Sequence, residues 1–99
     1  MQINYKRPFT HFVKKAIKPL KLAIKDNVTR ISNNPNLGEP KLGDLKGIFI
    51  HKFRFDGQEY LMAYRCRVNS KIEIIWIDFY KVGSHENFYD DLKQYLRQE

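Results

Sequence analysis

The sequence has one cysteine and no long hydrophobic run, and each scarcity excludes a class of protein. Because Cys66 is alone among 99 residues, it can form neither an intrachain disulfide nor a zinc site built from several thiolates. The most apolar stretch, residues 72–80, contains Glu73 and Asp78 and is too short to span a bilayer. The N-terminus also lacks the apolar segment of a secretory signal. We therefore expect a soluble, cytoplasmic protein without membrane association.

Acidic residues are scarce relative to basic ones. The chain has 18 lysines and arginines against 11 aspartates and glutamates, which gives a net charge of +7. Such a charge favours polyanionic partners, because each neutralised phosphate releases counterions. It would also attract an acidic protein, so charge alone leaves nucleic acid and protein partners both open. The length predicts a single domain over residues 1–99 with one hydrophobic core.

The N-terminal third of the chain has the spacing of amphipathic helices. After a possible short strand at residues 2–6, one apolar stripe consists of Phe9, Phe12, Val13, Ala16 and Ile17. Pro19 lacks the N–H needed to continue a helix, so the helix should break or kink there. A second stripe follows, formed by Leu20, Ile24, Val28 and Ile31. We predict two helices packed as a hairpin, with one kinked helix as the alternative.

The C-terminal half predicts an antiparallel meander and a closing helix. Apolar alternation marks three strands, at residues 48–55, 59–68 and 71–81. Asp56-Gly57 is a strong turn signal between the first two. The middle of the third strand is apolar on both faces, which is typical of an interior strand covered on both sides. Ser84 can cap a final helix, whose apolar residues recur at Phe88, Leu92 and Leu96.

Four basic residues fall on sheet faces opposite rows of apolar and aromatic side chains. Because side chains alternate along a strand, Lys52 and Arg54 lie opposite the phenylalanines of the first strand. Arg65 and Arg67 likewise end the row opposite the apolar row of the second strand. If these faces coincide, one side of the sheet forms the core and the other forms a basic surface beside His85.

The order of elements indicates an α+β fold in which an N-terminal helical hairpin packs on a small, mainly antiparallel sheet, followed by a C-terminal helix. A long loop that ends at Gly47 joins the hairpin to the sheet. Short motifs at residues 34–38, 42–47, 60–65 and 83–89 accompany this order of elements. Together, over nearly the whole chain, the order and the motifs resemble the RelE/ParE superfamily of bacterial toxin–antitoxin toxins.

The resemblance implies one of two activities. RelE-like members are metal-independent ribonucleases that cut mRNA in the ribosomal decoding site, whereas ParE-like members inhibit DNA gyrase on the same fold. Both are held inactive by an antitoxin encoded beside them. The implied partners are therefore a cognate antitoxin, with ribosome and mRNA for an RNase or gyrase for a ParE-type toxin. Operator DNA is expected only through the antitoxin complex, and neither a metal nor a cofactor is expected.

His85 and Tyr89 are the central candidates for chemistry. Metal-independent RNA cleavage needs a base, an acid and cations that stabilise charge on the phosphate. Histidine titrates near neutrality, and Tyr89 would share its helix face if the helix has begun at His85. This spacing resembles the YafQ-type RNase branch, in which the corresponding histidine is catalytic. We expect His85, Tyr89, Lys52 and Arg65 in the catalytic site, and phosphate binding by Arg54, Arg67 and Lys81.

The sequence also departs from the RNase pattern. Leu61 stands where many RNase members carry an arginine after the first tyrosine, and Gly83 stands where the RelE branch carries another. These departures favour the gyrase inhibitor, whereas the ending at His85 favours the RNase. A third alternative is a degenerate toxin that acts with its antitoxin in operator repression.

The remaining histidines are given no catalytic role. His51 lies among phenylalanines in the first strand, so we predict a hydrogen-bonded histidine in the core or at its rim. His11 lies in the first helix and is assigned no function.

Overall fold

The computed structural model describes residues 1–99 and contains three α-helices and five β-strands, as an α+β fold. In chain order they are β1 (Gln2–Tyr5), α1 (Arg7–Lys15), α2 (Lys18–Asn33), β2 (Glu39–Pro40), β3 (Phe49–Phe55), β4 (Gln58–Val68), β5 (Ile74–Ser84) and α3 (Phe88–Gln98). The predicted helical hairpin, meander and C-terminal helix are all present. None of the helices is both long and apolar enough to cross a membrane.

The strands form one sheet in the order β1-β5-β4-β3-β2. β3, β4 and β5 are the predicted antiparallel meander, and β2 pairs antiparallel with the outer side of β3. β1 pairs with β5 in parallel and forms the opposite edge of the sheet. β5 is therefore an interior strand, as its apolar sequence predicted.

The break between the first two helices lies just before Pro19. Ala16 and Ile17 have extended backbone conformations, and α2 begins at Lys18. Pro19 lies in the first turn of α2, where a missing N–H costs no helical hydrogen bond. The chain therefore forms two helices rather than one kinked helix.

Both faces of the sheet are covered. On one face, α1 and α2 bury a core cluster that includes Phe9, Ile24, Ile31, Met62, Tyr64 and Phe79. On the other face, Phe88 and Leu92 of α3 pack in a second cluster that includes Ile48, Ile50, Leu61, Ala63 and Tyr80. The prediction that this second face is simply a basic surface was wrong. Apolar residues share that face with Lys52 and Arg54. α3 covers these apolar residues, because burying them stabilises the fold.

The bounds of the third long strand differ from the prediction. It runs over Ile74–Ser84 rather than over residues 71–81, and it begins later because residues 69–73 form a turn. In that turn the Asn69 side chain accepts hydrogen bonds from the backbone N–H groups of Lys71 and Glu73.

The predicted cap at Ser84 was wrong. Ser84 is the last residue of β5, and α3 begins only at Phe88. Asn87 precedes the helix in a left-handed conformation with φ of 56°. Asparagine tolerates that conformation better than most residues, which allows the chain to turn sharply from strand into helix.

Candidate functional site

His85 and Glu59 form a short hydrogen-bonded pair at one end of the sheet. The distance from His85 Nε2 to Glu59 Oε1 is 2.6 Å. Glu59 lies near the start of β4, directly across from Arg54 of β3, and His85 follows the last residue of β5. The His85 side chain is 52% exposed. A substrate can therefore reach the imidazole without any rearrangement of the sheet.

The surroundings of Glu59 keep its carboxylate ionised. The hydrogen bond from His85 is the main cause that lowers the pKa of Glu59, and it outweighs the effect of partial burial. The charges of Lys52 and Arg54 lower that pKa further. An ionised carboxylate bonded to Nε2 favours the proton on that nitrogen, which leaves Nδ1 of a neutral imidazole as a base.

Two of the basic residues predicted for the site lie beside this pair. Lys52 and Arg54 are exposed and project from the same face of β3. The Arg54 guanidinium donates a 2.9 Å hydrogen bond to the carbonyl of Gly57, which holds it near the turn between β3 and β4. The structure thus brings Lys52, Arg54 and His85 to one end of the sheet.

Tyr89 lies at the margin of this site with a lysine that the sequence did not indicate. Lys41 Nζ is 5.6 Å from the centroid of the Tyr89 ring and 2.9 Å from Glu39 Oε1. The hydrogen bond to Glu39 is the main cause that raises the pKa of Lys41. A shared helix face required the helix to have begun at His85, and this condition is not met because α3 begins at Phe88.

Arg65 and Arg67 lie away from His85 and are engaged by other side chains. Arg67 Nε is 2.8 Å from Asp78 Oδ2, and its guanidinium stacks 4.9 Å from the centroid of the Trp76 ring. Arg65 Nη1 donates a 3.3 Å hydrogen bond to the Tyr80 hydroxyl. Arg65 is six positions after Glu59 on β4, about 20 Å along a strand. The four cations therefore do not form one continuous surface.

Comparison with known proteins identifies the family. The model of the family described as "ParE-like toxin of type II bacterial toxin-antitoxin system" matches residues 3–93. The chain belongs to this family. The fold of the ParE-like toxin also resembles a chain in a structure described as "Crystal structure of the intact E. coli RelBE toxin-antitoxin complex". The TM-score is 0.62 at 16% sequence identity, over 84% of this chain and 94% of that chain. No curated protein gives a significant sequence match.

Asp78, the partner of Arg67, is the centre of a hydrogen-bond network in the toxin. This carboxylate is fully buried and accepts hydrogen bonds from Asn4, Arg67 and the Trp76 indole. Burial alone would raise the pKa of Asp78, but the three hydrogen bonds and the charge of Arg67 lower it overall. The network joins β1, β4 and β5 of the toxin at the end of the sheet opposite His85.

Lys81 lies on β5, four residues before His85, on the face of the sheet that α3 covers. It pairs with Ala63 across the β4–β5 ladder, and its Nζ is 5.5 Å from the centroid of the Phe88 ring. Phe79 pairs with Tyr64, so Tyr80 is an extra residue that forms a bulge. No group of three or more metal-binding side chains converges in the toxin.

The sequence did not indicate Glu59 or Lys41 as site residues. The two-residue turn at Asp56-Gly57 does imply that Glu59 pairs with Arg54, and this pairing is observed. It does not reveal His85 as the partner of Glu59, because that depends on where β5 ends. The prediction for His51 is confirmed: it is buried, and its Nε2 lies 2.8 Å from Asn27 Oδ1.

Proposed function

We propose that this chain is the toxin of a type II toxin–antitoxin module and blocks translation as a ribosome-dependent, metal-independent mRNA endonuclease. The observation that carries this proposal is the exposed His85–Glu59 pair, 2.6 Å apart, with Lys52 and Arg54 beside it. A base held by a carboxylate and flanked by two cations supplies the groups that RNA cleavage needs.

The chemistry assigns a role to each group. His85 takes the proton from a ribose 2′-hydroxyl at Nδ1, and the 2′-oxygen attacks the adjacent phosphorus. Lys52 and Arg54 stabilise the charge that develops on the phosphate oxygens. The bond from phosphorus to the 5′-oxygen breaks, and the leaving oxygen accepts a proton from the imidazolium or from Tyr89. The products are a 2′,3′-cyclic phosphate and a free 5′-hydroxyl.

Tyr89 has a second role in this proposal. Its ring lies in the first turn of α3, with Lys41 on one side. An aromatic ring next to a cation can stack an unpaired base while the lysine contacts the neighbouring phosphate. Tyr89 and Lys41 would then orient the RNA so that the 2′-hydroxyl faces His85.

The proposed partners are a cognate antitoxin, the ribosome and mRNA. Family membership and the resemblance to a chain of a toxin–antitoxin complex support an antitoxin partner. An antitoxin that carries acidic side chains would neutralise Lys52 and Arg54 and exclude RNA from His85. Operator DNA would be bound only through that complex.

A gyrase inhibitor without RNase activity is the second candidate. Leu61, at the position where the RNase pattern expects an arginine, is fully buried under α3. Arg65 and Arg67 are held by Tyr80 and Asp78, so fewer cations face a phosphate at His85. The same chain could also act in operator repression with its antitoxin, as a degenerate toxin.

A reconstituted translation reaction distinguishes these functions. The purified toxin is added to a translated message, and the 5′ ends of the RNA are mapped by primer extension. We expect new ends only on translated message, and we expect His85→Ala to reduce their formation about 10²- to 10⁴-fold. Circular dichroism would confirm that the variant is folded.

The same reaction can also exclude the RNase. Intact message in the presence of a folded, growth-inhibiting toxin would exclude the RNase. Loss of DNA supercoiling by gyrase in the same preparation, unaffected by His85→Ala, would then support the gyrase inhibitor.

A further inference from the structure

A groove of about 630 Å³ lies between α1 and the tip of the β3–β4 hairpin and reaches Lys81 of β5. Phe12, Lys15, Gln58, Tyr60 and Lys81 are among its lining residues. The groove is separate from the site at His85, because His85, Glu59, Lys52 and Arg54 do not line it. Its lining combines aromatic rings with polar and charged groups, which distinguishes it from an apolar packing defect.

The groove opens at the same end of the sheet as His85. Gln58 and Tyr60 flank Glu59 on β4, so their side chains project to the opposite face from the carboxylate that binds His85. Tyr60 pairs with Ser84, the residue immediately before His85. The β4 strand and the end of β5 therefore separate the groove from the His85–Glu59 pair.

The chemistry of the groove matches a single-stranded nucleotide. The rings of Phe12 and Tyr60 lie edge to face with centroids 6.3 Å apart, and both are partly exposed. Partly exposed aromatic rings stack unpaired bases without strong sequence preference. The Gln58 amide can hydrogen-bond a base edge.

The charge of the groove also favours RNA. Lys15 and Lys81 line it, and neither forms a salt bridge in the structure. Lys15 is exposed, and the Lys81 ammonium contacts the Phe88 ring at 5.5 Å but no carboxylate, so both charges are available to neutralise phosphates. Asp56 at the hairpin tip is the one carboxylate in the lining, so the cations outnumber it.

We propose that this groove binds a nucleotide of single-stranded RNA adjacent to the phosphodiester cut at His85, with the base on Phe12 and Tyr60 and its phosphate at Lys15 and Lys81. The proposal deepens the proposed function and rests on it. RNA would pass around the end of the sheet, from the groove to the His85–Glu59 pair.

A binding experiment tests the groove without requiring cleavage. A 2′-O-methyl RNA hexamer cannot be cut, because it lacks the attacking hydroxyl. It is titrated into the ¹⁵N-labelled toxin and followed by amide NMR shifts, and its affinity is measured by fluorescence anisotropy. We expect the largest shifts at Lys15, Gln58 and Lys81, in addition to residues near His85.

α1 offers a matched control pair. Lys15 lines this groove, whereas the neighbouring Lys14 is exposed and lines a separate groove between α1 and α2. Lys15→Glu and Lys14→Glu change the net charge equally. We expect Lys15→Glu to weaken RNA binding about tenfold or more and Lys14→Glu to weaken it much less.

Several outcomes would overturn the proposal: no RNA binding, no shifts in the groove, or equal losses for the two variants. Equal affinity and the same shifts with an acidic peptide of matched charge would also overturn it, because stacking would then contribute nothing. Failure of the proposed function is distinguishable. If the toxin binds RNA in the groove but cuts no translated message, the groove proposal stands and the nuclease proposal fails.

Discussion

The Glu59 carboxylate acts on His85 through a single 2.6 Å contact, and this makes it a testable positioning residue. In Glu59→Gln, an amide replaces the ionised acceptor and no longer favours the proton on Nε2 of the imidazole. We expect message cutting to fall on the order of tenfold or more, with the fold retained. Primer extension on translated message provides the rate.

Glu73→Gln is the matched control for that substitution. Like Glu59, Glu73 is hydrogen-bonded by a side chain, that of Asn69, but it is exposed and lies at the opposite end of the sheet. It should leave cutting unchanged. Equal cutting by Glu59→Gln and the unmodified toxin would show that the carboxylate does not position His85.

His51 predicts a pH dependence of stability. Burial, and then the charge of Arg30, lower the pKa of His51 below its ordinary value of 6.5. As pH falls through 6.5, the unfolded chain therefore binds this proton before the folded chain does, and stability falls. The loss continues until pH passes the lowered folded value. Urea unfolding at pH 7.5 and pH 5.5 should show lower stability at the acidic pH.

His51→Gln isolates this contribution. The glutamine amide can still donate to Asn27 Oδ1, which His51 contacts at 2.8 Å, but it does not titrate. We expect a smaller stability difference between the two pH values. His11→Gln, at an exposed histidine on α1, should retain the difference. An unchanged difference in His51→Gln would contradict the assignment.

The loop that precedes β2 is fixed to the sheet by the Tyr64 hydroxyl. This hydroxyl donates to the carbonyl of Pro35 at 2.6 Å and accepts from the N–H of Gly38 at 2.9 Å. A Cβ atom at Gly38 would lie 2.8 Å from the Tyr64 oxygen, and Tyr64 is fully buried. We expect Gly38→Ala to lower the free energy of unfolding by about 1–3 kcal/mol.

Gly83→Ala is the control, because a Cβ there would lie no closer than 3.6 Å to Phe12, an ordinary contact. Its effect on urea unfolding should be small, within about 0.5 kcal/mol. Equal stability of the two alanine variants would show that the loop moves away from Tyr64 at little cost.

Local patterns predicted the strands and turns but not the start of α3. Alternation and Asp56-Gly57 specify β3, β4 and the register between them, because both signals depend on neighbouring residues alone. The end of β5 has competing signals, since Ser84 and Asn87 can each precede a helix. Packing of Phe88 and Leu92 on the sheet selects the later start, and that packing is not visible in a local pattern.

The distribution of the cations is a property of the whole molecule. The sequence correctly placed Lys52 and Arg54 on one face of β3, yet it did not show that α3 crosses that face over Ile50, Leu61 and Ala63. It also gave no indication that Asp78 would be fully buried with Arg67 as a partner. These contacts join residues that are distant in sequence, so no spacing rule specifies them.

This arrangement predicts that the His85 end of the sheet determines message cutting and the Asp78 end contributes to stability. Lys52 is exposed beside Glu59, so Lys52→Ala should lower message cutting about 10²-fold and change stability by less than about 0.5 kcal/mol.

Asp78 accepts hydrogen bonds from three donors at the other end. Asp78→Asn should lower the free energy of unfolding by about 1–3 kcal/mol, because the buried side chain loses its charge and one of the two oxygens that accept from the three donors. Cutting per folded molecule should stay constant.

The pKa of Asp78 adds a further check on this division. Since its folded value is lowered, its stabilisation is complete above the ordinary value of 3.8 and is lost as pH falls through the lower folded value. Acid unfolding of Asp78→Asn should lack this final loss, whereas Lys52→Ala should retain it. If Asp78→Asn instead abolished cutting with unchanged unfolding, the two ends would be coupled, and the chemistry could not be assigned to the His85 end alone.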